Sequence, residues 1–189
     1  MSPDLTKKLV EKYPKIFSGV DKSPRESLMC FGFECGDGWY PLIDKLCEII
    51  QWETDQNTEQ LQNDKEYNEI LLEYSKGNDK PFLDYYKDFS PESIEFFRKD
   101  AEKCILRSLK AVFQVEATQV KEKFGGLRFY INGGDARIYG MIDFAEHLSH
   151  SICEFCGSMK NIKHSKGWVI TACQECIDKD DNLKNRIWV

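Results

Sequence analysis

The sequence predicts an α+β protein in which helices pack on a small antiparallel β-hairpin or sheet, followed by a C-terminal zinc ribbon or treble-clef module. Three observations support this class. Apolar residues recur at helical spacing in several stretches, a period-two segment doubles back at a Gly-Gly turn, and two Cys-x-x-Cys pairs lie near the end. Strands do not alternate with helices as in a parallel α/β sheet, and there is no phosphate-binding glycine loop.

Three helices are expected before the hairpin. The first covers residues 4–13 and ends at Pro14. The second begins near Pro41, and its apolar stripe consists of Leu42, Ile43, Leu46, Ile49 and Ile50. Ser90 and Pro91 are typical of the start of a third helix. We expect this one to be the central packing helix, with a stripe of Ile94, Phe97, Ala101, Cys104, Ile105 and Leu109.

A β-hairpin and a fourth helix follow. Phe113, Val115 and Ala117 alternate with polar residues, which is typical of a half-buried strand, and the turn at Gly125-Gly126 leads into a second strand, "LRFYI". Asp135 is a helix-capping residue. The inner face of the helix it starts is expected to consist of Ile138, Met141, Ile142, Ala145 and Leu148.

The totals describe a chain that can build a core. It has 189 residues, of which 41% are hydrophobic. We expect an α+β body at residues 1–150 and a zinc-binding module at 151–189. The N-terminus lacks the apolar region of a secretory signal, and no stretch approaches the ~20 apolar residues that span a membrane. The expected location is therefore cytoplasmic, where thiols stay reduced and paired cysteines hold metal.

An acidic, insertion-like segment covers residues 53–95. It contains 12 Asp or Glu residues and four Lys, and it includes a helical stretch, "EYNEILLEYS". One interpretation is a solvated helical face. The other is a docking surface for a partner protein with a basic surface, because acidic rims steer basic partners and aromatic side chains anchor interfaces. The residues of this surface would be Glu66, Glu69, Glu73, Phe82, Tyr85, Tyr86 and Phe89.

The two Cys-x-x-Cys pairs predict one structural Zn²⁺. Two residues between cysteines let one tight turn present both sulfurs, and zinc takes four such ligands in a tetrahedron. The expected ligands are Cys153, Cys156, Cys173 and Cys176. His147 and His150 lie at helical spacing before Cys153, so a site that uses a histidine in place of one cysteine is an alternative.

Between the pairs lies the zinc arm, residues 157–172, which contains no acidic residue. Its cations and an aromatic that could stack on bases suit a single-strand contact, although a solvated arm is the alternative; these residues are Lys160, Lys163, His164, Lys166 and Trp168. The overall charge of -6 argues against general binding of polyanions. The hairpin cations Lys121, Lys123 and Arg128 are either ordinary surface charges or a loop for a partner's groove.

Catalytic signatures are absent from the sequence. A zinc ion with four protein ligands has no open position, and no serine elbow or cysteine-histidine signature occurs. Asp37, Asp44 and Asp135 are carboxylates that nothing in the sequence pairs. A non-enzymatic protein is therefore expected, and an enzyme of unrecognised type is the third alternative.

Three segments in this order, "GFECGDGWYPLIDKLCEII", "QVKEKFGGLRFYI" and "AEHLSHSICEFCGS…GWVITACQEC", resemble a family of small uncharacterised proteins of bacteria, prophages and phages. The resemblance covers about half the chain. It implies an α+β body that ends in a zinc module, and the zinc role of the four cysteines; it implies no activity. The acidic segment lies outside it.

Together these observations predict a zinc-stabilised protein-binding module. If the chain is of phage or mobile-element type, as the resemblance implies, its expected partner is a host defence protein with a basic surface, such as a nuclease. It would act there as an inhibitor or adaptor in the host cytoplasm. The alternative is a regulator that binds nucleic acid through the zinc arm.

Overall fold

The computed structural model describes residues 1–189 and confirms the α+β class. The chain divides into two compact units. Unit 1 consists of Met1–Thr54 and Phe113–Val189, and unit 2 is Asp55–Val112. Unit 1 therefore contains the expected zinc-binding cysteines as well as the hairpin, and unit 2 contains most of the acidic segment.

The helices and strands are as follows. The helices are α1 (Pro3–Lys12), α2 (Tyr40–Ser75), α3 (Lys80–Tyr85), α4 (Pro91–Ala101), α5 (Ala136–Ser149), α6 (Gln174–Lys179) and α7 (Asp181–Lys184). The strands are β1 (Phe33–Glu34), β2 (Glu116–Lys123), β3 (Gly126–Asn132), β4 (Ile162–His164) and β5 (Thr171–Cys173). No helix combines the length and the apolar composition that a membrane span requires.

The larger sheet lies in unit 1 and is mixed rather than purely antiparallel. β2 and β3 form the predicted hairpin, with Val120 opposite Phe129. The short β1 adds a parallel neighbour to β2, with Phe33 opposite Val120. The glycine-punctuated segment before α2 indicates loop and short strand, but two residues are too few to show a period-two pattern, so the parallel pairing with β2 was not predicted. The second sheet is the antiparallel pair β4–β5.

The core of unit 1 lies between this sheet and the helices. Asp135 caps α5 by accepting hydrogen bonds from the main-chain N–H groups of Arg137 and Ile138, as predicted. Ile138, Ile142 and Ala145 are buried. They join a cluster that includes Phe17, Met29, Trp39, Ile43, Leu46, Ile50, Val115, Val120, Leu127 and Phe129. Of the stripe predicted for α2, Ile49 alone is exposed.

Two sequence-based boundaries were wrong. The first hairpin strand begins at Glu116, and Phe113 is 70% exposed instead of buried. The third predicted helix ends at Ala101, well before Leu109. The chain turns out of the helix just beyond Ala101, where Cys104 has a φ of +47°, outside the range of a right-handed helix. Further on, the Asn68 side-chain amide accepts from the Arg107 N–H at 2.8 Å and donates to the Arg107 carbonyl at 2.9 Å, which holds the Arg107 backbone beside α2.

Unit 2 has a small core of its own, and the helix expected to be central belongs here. Ile70, Leu71, Phe82 and Ala101 are its buried residues. Aromatic rings surround them: Tyr86 stacks on Phe97 with ring centroids 4.5 Å apart. The core is made of helices alone, and it contains no strand of either sheet.

Candidate metal centre

The first cysteine pair lies in a tight turn just after α5. The Gly157 N–H donates to the Cys153 carbonyl at 2.9 Å, and the Cys153 N–H donates to the Ser158 carbonyl at 2.8 Å. Gly157 has a φ of +77°, a conformation that glycine adopts without the steric cost of a side chain. The turn therefore folds back on itself and presents both sulfurs on one side.

The second pair lies where β5 becomes α6. Cys173 is the last residue of β5 and the N-cap of α6, so Cys176 lies in the first turn of the helix. The Gln174 N–H donates to the Asn161 carbonyl at 3.1 Å. This bond ties the start of α6 to the zinc arm, and it brings the second pair back toward the first.

The four sulfurs converge. All four Sγ atoms lie within 4.8 Å of one another, and those of Cys156 and Cys173 are 3.6 Å apart. A tetrahedral zinc with Zn–S bonds of about 2.3 Å separates its sulfurs by about 3.8 Å, so the spacing fits. Cys153 and Cys173 are buried, and Cys156 is exposed. The predicted cysteine cluster is confirmed as a group that could hold a metal ion.

Electrostatics also favour a cation at this place. Burial, followed by the neighbouring sulfurs of Cys156, Cys173 and Cys153, raises the pKa of the Cys176 thiol. Four thiolates this close together repel one another unless a positive charge lies between them. A divalent metal ion supplies that charge and is bound by the deprotonated thiols.

The two histidines proposed as alternative ligands make other contacts. His147 is exposed, and its Nδ1 lies 2.8 Å from the Asp143 carbonyl oxygen. His150 lies against Gly126, and its ring centroid is 6.1 Å from that of His164. Burial, together with Arg128 and His164, lowers the pKa of His150. The group that converges on a common point consists of the four cysteines alone.

A loop of the body holds the first cysteine turn. The Gly38 N–H donates to the Glu154 carbonyl at 2.8 Å, the Gly36 N–H donates to Glu154 Oε1 at 3.0 Å, and the Trp39 indole N–H donates to the Ile152 carbonyl at 3.0 Å. A Cβ atom at Gly38 would collide with the backbone of Cys153 and Gly157. The sequence indicates a loop in this glycine-punctuated segment, but its contact with the cysteine turn was not predicted, although the close glycines in "ECGDGW" are a signal of close backbone approach.

The hairpin turn makes a second contact with the metal module. The Thr171 hydroxyl donates to the Gly125 carbonyl at 2.5 Å and lies 3.0 Å from His164 Nδ1. A hydroxyl has one proton to donate, so Thr171 accepts the second bond and His164 carries its proton on Nδ1. Gly125 has a φ of +77°, and a Cβ atom there would lie 2.7 Å from Val169 Cγ1.

The predicted partner-binding residues of unit 2 are not all at the surface. Phe82 is 1% exposed and belongs to the core of unit 2, which corrects its assignment as a surface anchor. Tyr86 is half-buried against Phe97. Tyr85 and Phe89 are exposed, as are Glu66 and Glu69, while Glu73 is half-buried and bonds to Lys76 and Asn78.

The predicted nucleic-acid contacts of the zinc arm lie mostly at the surface. Lys160, Lys166 and Trp168 are exposed. Lys163 and His164 lie in β4 and are half-buried. The arm is held at its base by the Thr171 contact and by β4–β5 pairing, with Ile162 opposite Cys173.

The ligand set decides what the centre can do chemically. Four cysteines fill all positions of a tetrahedron, which leaves a bound zinc ion no open position for water or substrate. In comparisons with known proteins, no family model, no curated protein and no solved structure matches the chain.

Proposed function

We propose that this chain is a zinc-stabilised binding protein whose unit 2 engages a partner protein with a basic surface. The zinc ion holds the first cysteine turn, the β4–β5 hairpin and α6 together. This order of turn, hairpin and helix supports a treble clef rather than a zinc ribbon. All four ligands come from the protein, so the role of the metal is structural.

One observation carries the choice of unit 2: this small unit exposes more large apolar side chains than it buries. Its buried core residues are four in number. Eight large hydrophobic residues are exposed in the same unit: Leu72, Leu83, Tyr85, Phe89, Phe96, Ile105, Leu106 and Leu109. The rings of Tyr85, Phe89 and Phe96 are linked through contacts with Tyr86 and Phe97, so these three exposed residues belong to one aromatic group. Contiguous exposed apolar patches are typical of protein–protein interaction sites.

The acidic charge of unit 2 supports a partner with a basic surface. Glu66, Glu69 and Glu73 follow one another at helical spacing, so they share one face of α2. Unit 2 has 13 acidic and nine basic residues, a net charge of -4. A basic partner would be steered toward such a surface. We propose that the partner is a host defence protein, such as a nuclease, and that this chain acts on it as an inhibitor or adaptor. The reason is that three segments of the chain resemble small proteins of bacteria, prophages and phages.

Affinity capture from bacterial lysate, treated with nuclease, tests this proposal. The retained protein is then purified, and its dissociation constant is measured by calorimetry. We expect the triple variant Glu66→Lys, Glu69→Lys, Glu73→Lys to weaken binding at least tenfold. The matched control reverses the charge of three acidic residues of unit 1 by the substitutions Glu11→Lys, Glu48→Lys and Asp143→Lys, and it should bind like the wild type. Equal binding by both variants would contradict the proposal.

A further inference from the structure

We propose that the outer face of the β2–β3 hairpin and the tip of the zinc arm form one surface that binds single-stranded nucleic acid. The sequence presents the hairpin cations and the zinc arm as separate features, with 28 residues between Arg128 and Gly157. Their juxtaposition is a property of the fold. This surface lies wholly in unit 1, and it is independent of the protein-binding role proposed for unit 2.

The contact between Gly125 and the zinc arm makes the surface continuous. The Thr171 hydroxyl donates to the Gly125 carbonyl, and the space that a Cβ atom of Gly125 would need is taken by Val169. Phe124 and Trp168 each precede a residue of this contact. The turn of the hairpin and the tip of the arm are therefore neighbours, and each presents an aromatic ring.

These rings are exposed and associated with cations. Phe124 is 69% exposed and Trp168 is 73% exposed. Lys123 Nζ lies 5.4 Å from the centroid of the Phe124 ring, and Lys121 Nζ lies 5.7 Å from that of Tyr130. Unpaired bases stack on aromatic rings whatever their sequence, while nearby cations hold the phosphates.

Two lysines of the hairpin are available to an anionic ligand. Lys121 lies opposite Arg128 of β3 and, on its other side, beside Glu34 of β1, so its cross-strand neighbours carry charges of both signs. Glu146 pairs with Arg128 at 3.6 Å, but neither Lys121 nor Lys123 forms a salt bridge with a carboxylate. The intervening Glu122 accepts a hydrogen bond from the Gly125 N–H at 2.6 Å, so it turns back into the loop.

The same face extends at both ends. At Lys121, an open groove of about 480 Å³ is lined by this lysine, by Gln119 and Tyr130, and by Arg25 and its acidic neighbour Glu26. At the other end, the Arg186 side chain donates to the Trp168 carbonyl at 3.2 Å, which places a further cation beside the arm. A row of cations with rings between them suits an extended strand.

The overall charge favours a single strand over a duplex. A chain of net charge -6 with a few phosphate contacts has little non-specific affinity for duplex nucleic acid. Stacking on Phe124 and Trp168 adds affinity that only unpaired bases provide, because duplex bases are stacked on each other. The ligand is therefore a flexible strand with exposed bases.

Fluorescence anisotropy with labelled 12-mers of deoxythymidine and of uridine tests the proposal on zinc-replete protein. We expect the wild type to bind either strand, and the double variant Phe124→Ala, Trp168→Ala to lose at least tenfold in affinity. In the double variant Lys121→Gln, Lys123→Gln, the slope of log affinity against log salt concentration should fall in magnitude by about 1.4. Matched controls remove an exposed aromatic elsewhere, Trp52→Ala, and two cations elsewhere, Lys7→Gln and Lys45→Gln. They should bind like the wild type.

Three results would overturn the proposal. They are no binding of either strand, tighter binding of a 12-base-pair duplex, and equal affinity for inorganic polyphosphate with no effect of the aromatic substitutions. Zinc content and far-UV circular dichroism establish that each variant is folded. Both the strand binding and its controls are measured without the unit 2 partner, so failure here leaves the protein-binding proposal untouched.

Discussion

Single residues decide how closely the metal module approaches the body. Gly36 and Gly38 face the backbone of the first cysteine turn, and Glu154 bonds to both through its carbonyl and its side chain. Burial raises the pKa of the Glu154 carboxyl, although the Gly36 N–H opposes the shift. These contacts leave no room for a side chain at position 38.

The substitution Gly38→Ala should destabilise unit 1 and loosen the metal. The new Cβ collides with the backbone of Cys153 and Gly157, and forced shifts of this kind cost about 2 kcal/mol or more. We expect a lower free energy of unfolding in urea and faster zinc loss to a chelator. Gly140→Ala in α5 is the control, since its Cβ meets nothing within 4 Å and alanine favours a helix. Equal stability of the two variants would contradict the steric argument.

A second residue-scale prediction concerns pH. Burial opposes ionisation of Asp44, yet hydrogen bonds from Lys12 and Tyr13 lower the pKa of this carboxyl overall. A depressed pKa stabilises the fold at neutral pH, and that contribution is lost as the pH falls through the folded-state value. Asp44→Asn should therefore reduce the unfolding free energy at pH 7 by about 1 kcal/mol.

The stability difference between wild type and Asp44→Asn should shrink as the pH falls from about 4, where the carboxyl of the unfolded chain becomes protonated, through the lower pKa of the native carboxyl. Thermal or urea unfolding at a series of pH values measures it. Asp143→Asn, an exposed carboxylate on α5, is the control and should show little difference at any pH. A difference for Asp44→Asn that stays constant down to pH 2 would exclude the ionised carboxylate as its source.

At the scale of elements, the edge of the larger sheet depends on a helix. β3 has no strand on its outer side. Two of its main-chain N–H groups bond instead to α5: that of Leu127 donates to Ser149 Oγ, and that of Phe129 donates to Glu146 Oε1, both at 2.8 Å. The helix thereby covers part of an edge that would otherwise be free to pair with another chain.

Ser149→Ala removes the hydroxyl that accepts from the Leu127 N–H, and we expect it to destabilise the protein. Leu127 and Ser149 are fully buried, so the Leu127 N–H would lose its partner without gaining water. We expect a loss of about 1–3 kcal/mol in unfolding free energy and faster hydrogen exchange at the Leu127 amide. Ser151→Ala, two residues away and exposed, is the control. Unchanged exchange at Leu127 would refute the role assigned to the hydroxyl.

For the whole molecule, the metal module and the body of unit 1 are mutually dependent. The cysteine turn is held by Gly38 and Trp39, and β5 is held by Gly125. A metal ion between the four sulfurs would therefore stabilise contacts well outside its own ligands. Binding of metal to the folded state adds directly to the free energy of folding.

Elemental analysis should find about one zinc per chain. Cys173→Ser should remove most of it and lower the thermal unfolding midpoint of unit 1, with loss of the near-UV signal of buried Trp39. Cys30→Ser, whose sulfur lies outside the cluster, should keep its zinc and its stability. A metal-free protein that is as stable as the wild type would rule out a structural zinc.

The sequence by itself determined those features whose signals lie within a few residues. The spacing of Cys153 and Cys156 and of Cys173 and Cys176 predicted the cluster, Asp135 predicted the start of α5, and the Gly-Gly turn predicted the hairpin. A short turn, a cap and a period are local, so their physical chemistry is readable without the fold.

Only the tertiary structure decided features that join distant residues. Asn68 holds the backbone of Arg107, 39 residues away, and Trp39 donates to Ile152 across 113 residues. The sequence indicates Phe82 as a surface anchor, but in the fold the other aromatic rings of unit 2 surround it. Gly125 brings the hairpin turn to the zinc arm in the same way. Such pairings depend on which surfaces pack together, because a side chain satisfies its hydrogen bonds and loses its water only where the fold places a partner.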